Sequence, residues 1–142
     1  MKAKLDKPFY KRNEVVTVAV QVNNAFSMND IQNIRVTLKQ KFTVRTSDKI
    51  WSFVVDELKM VSSGIKSGEN RIEDDSMIFQ IPLLDMYGKH LNTTQAKLVT
   101  NSYFIHIEVF MAGSCLGKTS KFEDRLDLII RNEPGMNIND LN

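Results

Sequence analysis

The sequence has little cysteine, no long apolar run and almost no net charge. Cys115 is the only cysteine among 142 residues, so no intrachain disulfide can form and a secreted cysteine scaffold is excluded. The N-terminus lacks the apolar core of a signal peptide. No apolar run approaches the length of a membrane-spanning helix. These absences predict a cytoplasmic protein in a reducing compartment.

The charge balance argues against a nucleic-acid partner. Lysine and arginine number 19 against 17 aspartate and glutamate residues, a net charge of +2, which is too small to recruit nucleic acid. The chain is 42% hydrophobic, too apolar for a disordered protein. Its length suits one domain. We predict a single domain over residues 1–134, followed by a polar and disordered C-terminal tail, residues 135–142.

Hydrophobic and polar residues alternate along much of the chain. Every second position of residues 16–22 is a valine, which is typical of a strand with one buried face. The alternation continues over residues 34–44, interrupted only by Gln40. Further strands are predicted over residues 53–61, 77–81, 103–111 and 126–130. Asparagine, aspartate and glycine separate these segments and indicate turns, so the sequence predicts an all-β sandwich.

Residues 120–130 fit two patterns. Phe122, Leu126 and Ile129 follow the spacing of an amphipathic helix. Leu126 and Leu128 also alternate with charged residues, as in a strand. We favour the strand.

Nothing in the sequence has the pattern of a catalytic or metal centre. The two histidines, His90 and His106, lack the neighbours that mark a hydrolytic triad. Cys115 is interpreted as an inert thiol, and no spacing suits a metal site. We therefore expect no enzymatic activity, no cofactor and no metal.

Residues 112–119 nearly match a phosphate-binding loop, with alanine in place of the first glycine and Gly-Lys-Thr at the end. Such a loop normally opens a parallel α/β domain, whereas this chain shows no crossover helices. A glycine-rich hairpin loop explains the same residues. Nucleotide binding through residues 112–119 is kept as the least favoured alternative.

The polar side of the strand over residues 34–44 carries a row of cations. Arg35 and Lys39 lie about 13 Å apart at the usual rise per residue, and Lys41 and Arg45 continue the row. Such a row could meet phosphates on a lipid headgroup or a phosphopeptide. The alternative interpretation is a solvated sheet face or an edge kept soluble by lysine.

A series of motifs runs through the first 40 residues: LDKPFY over residues 5–10, Glu14, VAVQVNN over residues 18–24, Ile31, and IRVTLKQ over residues 34–40. In their order and spacing these motifs resemble the opening of the C-terminal domain of arrestins. Weaker similarity follows at residues 81–84, 103–111 and 128–130 and at Pro134. The resemblance covers about residues 4–134. It implies an immunoglobulin-like β-sandwich of two antiparallel sheets.

Function is implied by this resemblance rather than by the composition. Arrestins are non-enzymatic adaptors or scaffolds that dock on membrane receptors or cargo and link them to endocytic, ubiquitination or signalling proteins. In well-known members the matching strand contacts inositol phosphates, and those positions fall on Arg35 and Lys39, with Lys49 as a looser third. With the cation row, the candidate phosphoinositide or anion-binding residues are Arg35, Lys39, Lys41, Arg45 and Lys49.

Arrestins normally contain two such domains, and this chain holds one. It is therefore expected to be either a fragment whose full-length protein adds an N-terminal arrestin domain, or a reduced single-domain relative. The resemblance implies a cytoplasmic protein with recruitment to the plasma membrane or endosomes. A retromer-type sorting subunit of the same fold is the alternative function.

Overall fold

A computed structural model describes residues 1–91, 98–112 and 120–131 of the chain. These residues form strands and one turn of 3-10 helix, Glu73–Asp75. The predicted tail, residues 135–142, lies outside them. The strands are β1 (Lys2–Leu5), β2 (Tyr10–Lys11), β3 (Val15–Asn23), β4 (Ile31–Arg45), β5 (Ile50–Val61), β6 (Asn70–Arg71), β7 (Met77–Pro82), β8 (Val99–Met111), β9 (Ser120–Leu128) and β10 (Ile130–Arg131).

The strands make two four-stranded sheets. In the first sheet β3 pairs antiparallel with β1, β6 and β7. The second sheet has the order β5–β4–β8–β9 and is antiparallel throughout. A short parallel contact joins β2 to β10. This arrangement confirms the predicted all-β sandwich.

Alternation in the sequence places the core between the two sheets. Val16, Val18 and Val20 of β3 are completely buried and belong to one hydrophobic cluster with side chains of the second sheet. The buried side chains contributed by β4 and β8 include Ile34, Val36, Leu38, Ile105 and Ile107. Each such side chain stabilises the fold by about 1.5–3 kcal/mol. The same alternation directs the polar row of β4 away from the core.

The segment that fitted two patterns is a strand. β9 pairs with β8 along its whole length, from Leu128 opposite Tyr103 to Ser120 opposite Met111. The strand prediction is therefore confirmed, and the helix that a phosphate-binding loop would need after it is not formed. Of residues 112–119 only Ala112 is described; the rest of the predicted loop lies outside the described residues.

Two loops at one end of the sandwich are joined by a buried asparagine. The side-chain amide of Asn24 donates to the backbone carbonyls of Asn29 and Lys66, each at 3.1 Å. Gly64 lies beside the same loops, where an added Cβ would stand only 2.2 Å from the Ile31 carbonyl oxygen. Only glycine fits such a close approach of two backbones.

Candidate functional site

The four predicted cations of β4 lie on the side of the second sheet that faces away from the core, here called the outer face. Residues directly opposite in an antiparallel pair share a face, so the register identifies their neighbours. Arg35 lies opposite Glu108 of β8, and Lys39 lies opposite Asp56 of β5. Lys41 lies opposite Val54 and Ser102, and Arg45 lies opposite Ile50. The outer face therefore changes character along β4.

Two parts of strands β4 and β5 are distinguished by their neighbours. The near half comprises residues 31–39 and 56–61. The distal half comprises residues 40–45 and 50–55 together with the turn that joins them, residues 46–49. An extra residue in β5, Glu57, interrupts the register where the halves meet, because Leu38 faces Leu58 whereas Lys39 already faces Asp56. Such a bulge bends a strand and increases its twist.

In the near half the predicted cations already have carboxylate neighbours. Arg35 Nη1 lies 3.9 Å from Glu108 Oε1, and its guanidinium lies 4.7 Å from the centre of the Phe110 ring. Lys39 Nζ lies 3.3 Å from Asp56 Oδ1. The Arg35 and Lys39 side chains are only 36% and 21% exposed. Neither is the freely solvated cation that a row on an exposed face implies.

The polar residue between these cations is not exposed either. Thr37 has 1% exposure, although it lies on the polar side of β4. The reason is its place on a central strand, where Lys59 of β5 and His106 of β8 flank it on the same face.

A lysine bridges two carboxylates that the register brings together. Glu108 of β8 is buried and lies directly opposite Glu123 of β9. Lys121 Nζ lies 2.6 Å from Glu123 Oε1 and 3.2 Å from Glu108 Oε2. These hydrogen bonds, the one to Glu123 first, raise the pKa of Lys121, and the Lys121 ammonium lowers the pKa of Glu123. Because like charges directly opposite repel, Lys121 stabilises this part of the sheet.

His106 joins the two glutamates in a set that could ligate a metal. Ligand atoms of His106, Glu108 and Glu123 lie within 4.8 Å of one another, a grouping the sequence analysis missed because it depends on the β8–β9 register. The ammonium of Lys121 lies between the two carboxylates, and the guanidinium of Arg35 is also close to Glu108. A divalent cation would have to displace Lys121, so the arrangement suits internal ion pairing.

A polar network separates the two halves on the core side of the sheet. Asn101 Nδ2 donates to Gln40 Oε1 at 2.8 Å and to the Tyr103 hydroxyl at 3.0 Å. Gln40 Nε2 donates to Glu57 Oε1 at 2.9 Å, and Glu57 Oε2 accepts the Met86 backbone N–H at 2.8 Å. Gln40 is the residue that interrupts the apolar alternation in the sequence, and it marks where the aliphatic core ends.

In the distal half the cations have no such neighbours. Within the described ranges, no carboxylate pairs with Lys41, Arg45 or Lys49. The turn after β4 places Lys49 next to β5, with its backbone N–H bonded to the Thr46 hydroxyl at 3.1 Å. Asp48 is the only acid over residues 41–54. This end of the sheet therefore carries a local excess of positive charge.

Apolar side chains lie beside these cations. Ile50 and Val54, the cross-strand neighbours of Arg45 and Lys41, are 66% and 49% exposed. On the opposite side of the same strands, the rings of Phe42 and Phe53 stack with their centres 5.0 Å apart. The distal half thus combines positive charge with exposed apolar surface.

Comparison with known proteins identifies the fold. No family model matches the chain, and no curated protein sequence matches it. The crystal structure of Spo0M, a sporulation control protein from Bacillus subtilis, is similar, with a TM-score of 0.67 and 16% sequence identity. The similarity covers 94% of this chain and 49% of that one. Spo0M has an arrestin-like fold.

This chain has an arrestin-like fold. It spans about half the length of the Spo0M chain that it matches. In the part of the chain that the structure describes, no helix has the length and apolarity needed to cross a bilayer.

Proposed function

We propose that the chain is a non-enzymatic arrestin-like docking domain that binds membrane receptors or cargo and contacts phosphoinositide headgroups with its distal half. The observation that carries this proposal is the set of three cations, Lys41, Arg45 and Lys49, that lack carboxylate partners within the described residues beside exposed Ile50 and Val54. The arrestin-like fold supports a binding role over a catalytic one.

The expected strength of the membrane contact is modest. A lysine or arginine near an anionic membrane contributes about 1 kcal/mol, so three give about 3 kcal/mol. Exposed apolar side chains beside the cations add to this by entering the headgroup region. Binding of this strength falls with salt, because the Debye length is about 8 Å at physiological ionic strength. It suits a contact that assists a separate protein–protein contact through avidity.

The resemblance to arrestins assigns anion binding first to Arg35 and Lys39. The proposal instead assigns it first to the distal cations. Glu108 and Asp56 neutralise those two cations, so an anion there would meet nearby negative charge. Within the described residues no carboxylate pairs with Lys41 or Arg45, so an anion there meets no such repulsion. Lys49, the looser third position of the resemblance, belongs to the distal set.

The test compares three matched pairs of substitutions by co-sedimentation with phosphatidylcholine vesicles, with and without phosphatidylinositol bisphosphate. Lys41→Gln/Arg45→Gln removes distal cations, Arg35→Gln/Lys39→Gln removes near cations, and Lys2→Gln/Lys4→Gln on β1 is the control with the same change in net charge. We expect the distal pair to weaken phosphoinositide-dependent binding about 30-fold. The control should bind like the wild type.

Two further arms separate the alternatives. Soluble inositol hexakisphosphate should compete with the vesicles if the headgroup phosphates are what is recognised. As fluorescent fusions, the distal variants should lose recruitment to the plasma membrane or endosomes. If the near pair loses binding and the distal pair does not, the site belongs to Arg35 and Lys39. If the wild type stays in the supernatant, the lipid contact is excluded.

A further inference from the structure

Among the described residues, one edge of the second sheet has no strand paired with it. Within the described residues β5 pairs with β4 alone, so its other edge presents unpaired backbone groups. Over residues 50–55 its sequence is IWSFVV, with no charge and no proline. Trp51 and Phe53 are each 52% exposed, in addition to Ile50 and Val54. The segment is therefore uncharged and apolar, and its outer edge pairs with none of the described strands.

The other described edge strands carry features that prevent pairing with another chain. β9, at the opposite edge of the same sheet, carries five charged residues, Lys121, Glu123, Asp124, Arg125 and Asp127. β1 presents Lys2 and Lys4, and β7 ends at Pro82. Charge, proline and bulges are the usual protection of edges against pairing with another chain. Even the near half of β5 has Asp56, Lys59 and the bulge at Glu57, so the distal part is the exception.

We propose that residues 50–54 pair antiparallel with the same residues of a second copy, forming a two-fold symmetric dimer. This inference rests on the edge strand and is independent of the proposed membrane contact. A two-fold axis perpendicular to the sheet keeps equivalent faces on the same side, so core-side residues meet core-side residues. An axis through Ser52 places Trp51 opposite Phe53 of the second copy, and Ile50 opposite Val54 of the second copy.

This register is self-complementary. It makes two aromatic pairs on one face and two aliphatic pairs on the other, the types of cross-strand pair that stabilise sheets. No charged residue of the paired segment faces another. Phe53 is already held by its stack on Phe42, so little side-chain freedom is lost on pairing. These features favour a second copy of the chain as the occupant of the edge.

The proposed dimer also determines how the outer faces of the two copies are arranged. Both copies contribute to one continuous sheet, so both outer faces lie on the same side. Lys41 and Arg45 of the two copies would then face the same surface, and simultaneous contact would strengthen membrane binding without any new type of contact.

Sedimentation velocity of the full chain over a range of concentrations tests the dimer. We expect a concentration-dependent dimer for the wild type. Phe53→Lys should raise the dissociation constant of the dimer by at least about tenfold. Val54→Lys should have the same effect, and it leaves the stack of Phe53 on Phe42 intact. The matched control is Phe122→Lys, which changes an exposed phenylalanine on the charged edge strand β9 and should dimerise like the wild type. A wild type that is monomeric at every concentration overturns the proposal.

A crosslink tests the register in a Cys115→Ser background. Ser52→Cys places two thiols at the axis, within the Cα separation of about 4.4–6.8 Å that a disulfide requires. The control Ser102→Cys lies exposed on the same outer face but on β8. We expect a covalent dimer on a non-reducing gel for Ser52→Cys alone. If the Ser52→Cys variant sediments as a dimer but forms no disulfide, the proposed register is wrong. If Ser52→Cys and Ser102→Cys crosslink equally, the dimer does not form through the edge of β5.

Discussion

The near and distal halves of β4 and β5 belong to the same two strands but have different surroundings. In the near half Val36 and Leu38 are completely buried in the core, and the Arg35 guanidinium lies beside Glu108 on the outer face. In the distal half Arg45 lacks a carboxylate partner within the described residues, and Trp51 is half-exposed. The near half contributes buried side chains to the core and pairs its cations with carboxylates. The distal half leaves cations and apolar side chains exposed, where they could contact another molecule.

The comparison shows why a row of cations in a sequence does not by itself define a binding site. Arg35, Lys39, Lys41 and Arg45 alternate along one strand, yet residues on neighbouring strands decide which of them are neutralised. Glu108 and Asp56 come from β8 and β5 and meet only the first two cations.

The largest expected difference between the halves is in stability. Val36→Ala and Val44→Ala are the same substitution on the same strand, one in each half. Val36→Ala leaves a cavity in the core and should lower the free energy of unfolding by about 2–3 kcal/mol. Val44 is only half-buried, so its loss should be below about 1 kcal/mol. Urea unfolding measures both, and equal losses would remove the distinction.

The polar network at the boundary should come next. Asn101→Leu removes the donor to Gln40 and should destabilise the fold by about 1–3 kcal/mol, because a buried acceptor loses its partner. The double variant Gln40→Leu/Asn101→Leu should cost less than the sum of the single changes. Urea unfolding of all three proteins closes the cycle, and strict additivity would show that the two side chains are not coupled.

A contact outside both halves makes the stability of the fold depend on pH above about 10 and serves as a reference. The buried Tyr10 hydroxyl donates to the Asp6 carboxylate. Burial first, and this hydrogen bond second, raise the pKa of Tyr10 to about 12, against about 10 in an unfolded chain. The folded state therefore keeps Tyr10 protonated where the unfolded state ionises. This contribution to stability is complete below about pH 10 and is lost as the pH rises towards 12.

Tyr10→Phe should remove that dependence. The variant keeps the ring and loses the hydrogen bond, so it should be less stable by about 1–2 kcal/mol near neutral pH. Its disadvantage should shrink between about pH 10 and 12. Urea unfolding at both ends of this interval measures the difference, and a constant gap between the two proteins would refute the role of Tyr10.

The smallest expected effect compares two arginines. Arg35→Gln removes the contact with the Phe110 ring and the cation near buried Glu108, and should cost about 0.5–1 kcal/mol. Arg45→Gln should leave stability within about 0.5 kcal/mol of the wild type, as for most surface changes. Thermal unfolding of the two variants measures which of them is less stable. The opposite ranking would place the structural arginine in the distal half.

The strands and their faces could be predicted from the sequence, and their neighbours could not. The valines at every second position of β3 predict a buried face, and Gln40 interrupts the corresponding pattern on β4 where the aliphatic core ends. The pairing of Lys39 with Asp56 depends on the bulge at Glu57, which alternation does not reveal. A shift of two residues in register would preserve every face and change every partner. The ion pairs that divide β4 into two halves therefore required the structure.

The most direct test of the distal half as the membrane-binding surface uses an environment-sensitive fluorophore on single cysteines in a Cys115→Ser background. Ser102→Cys reports on the distal outer face beside Lys41, and Lys59→Cys reports on the near outer face beside Thr37. When vesicles containing phosphatidylinositol bisphosphate are added, emission should shift to shorter wavelength for the label at position 102 and stay unchanged at position 59. Vesicle binding with a shift only at position 59 would contradict the account.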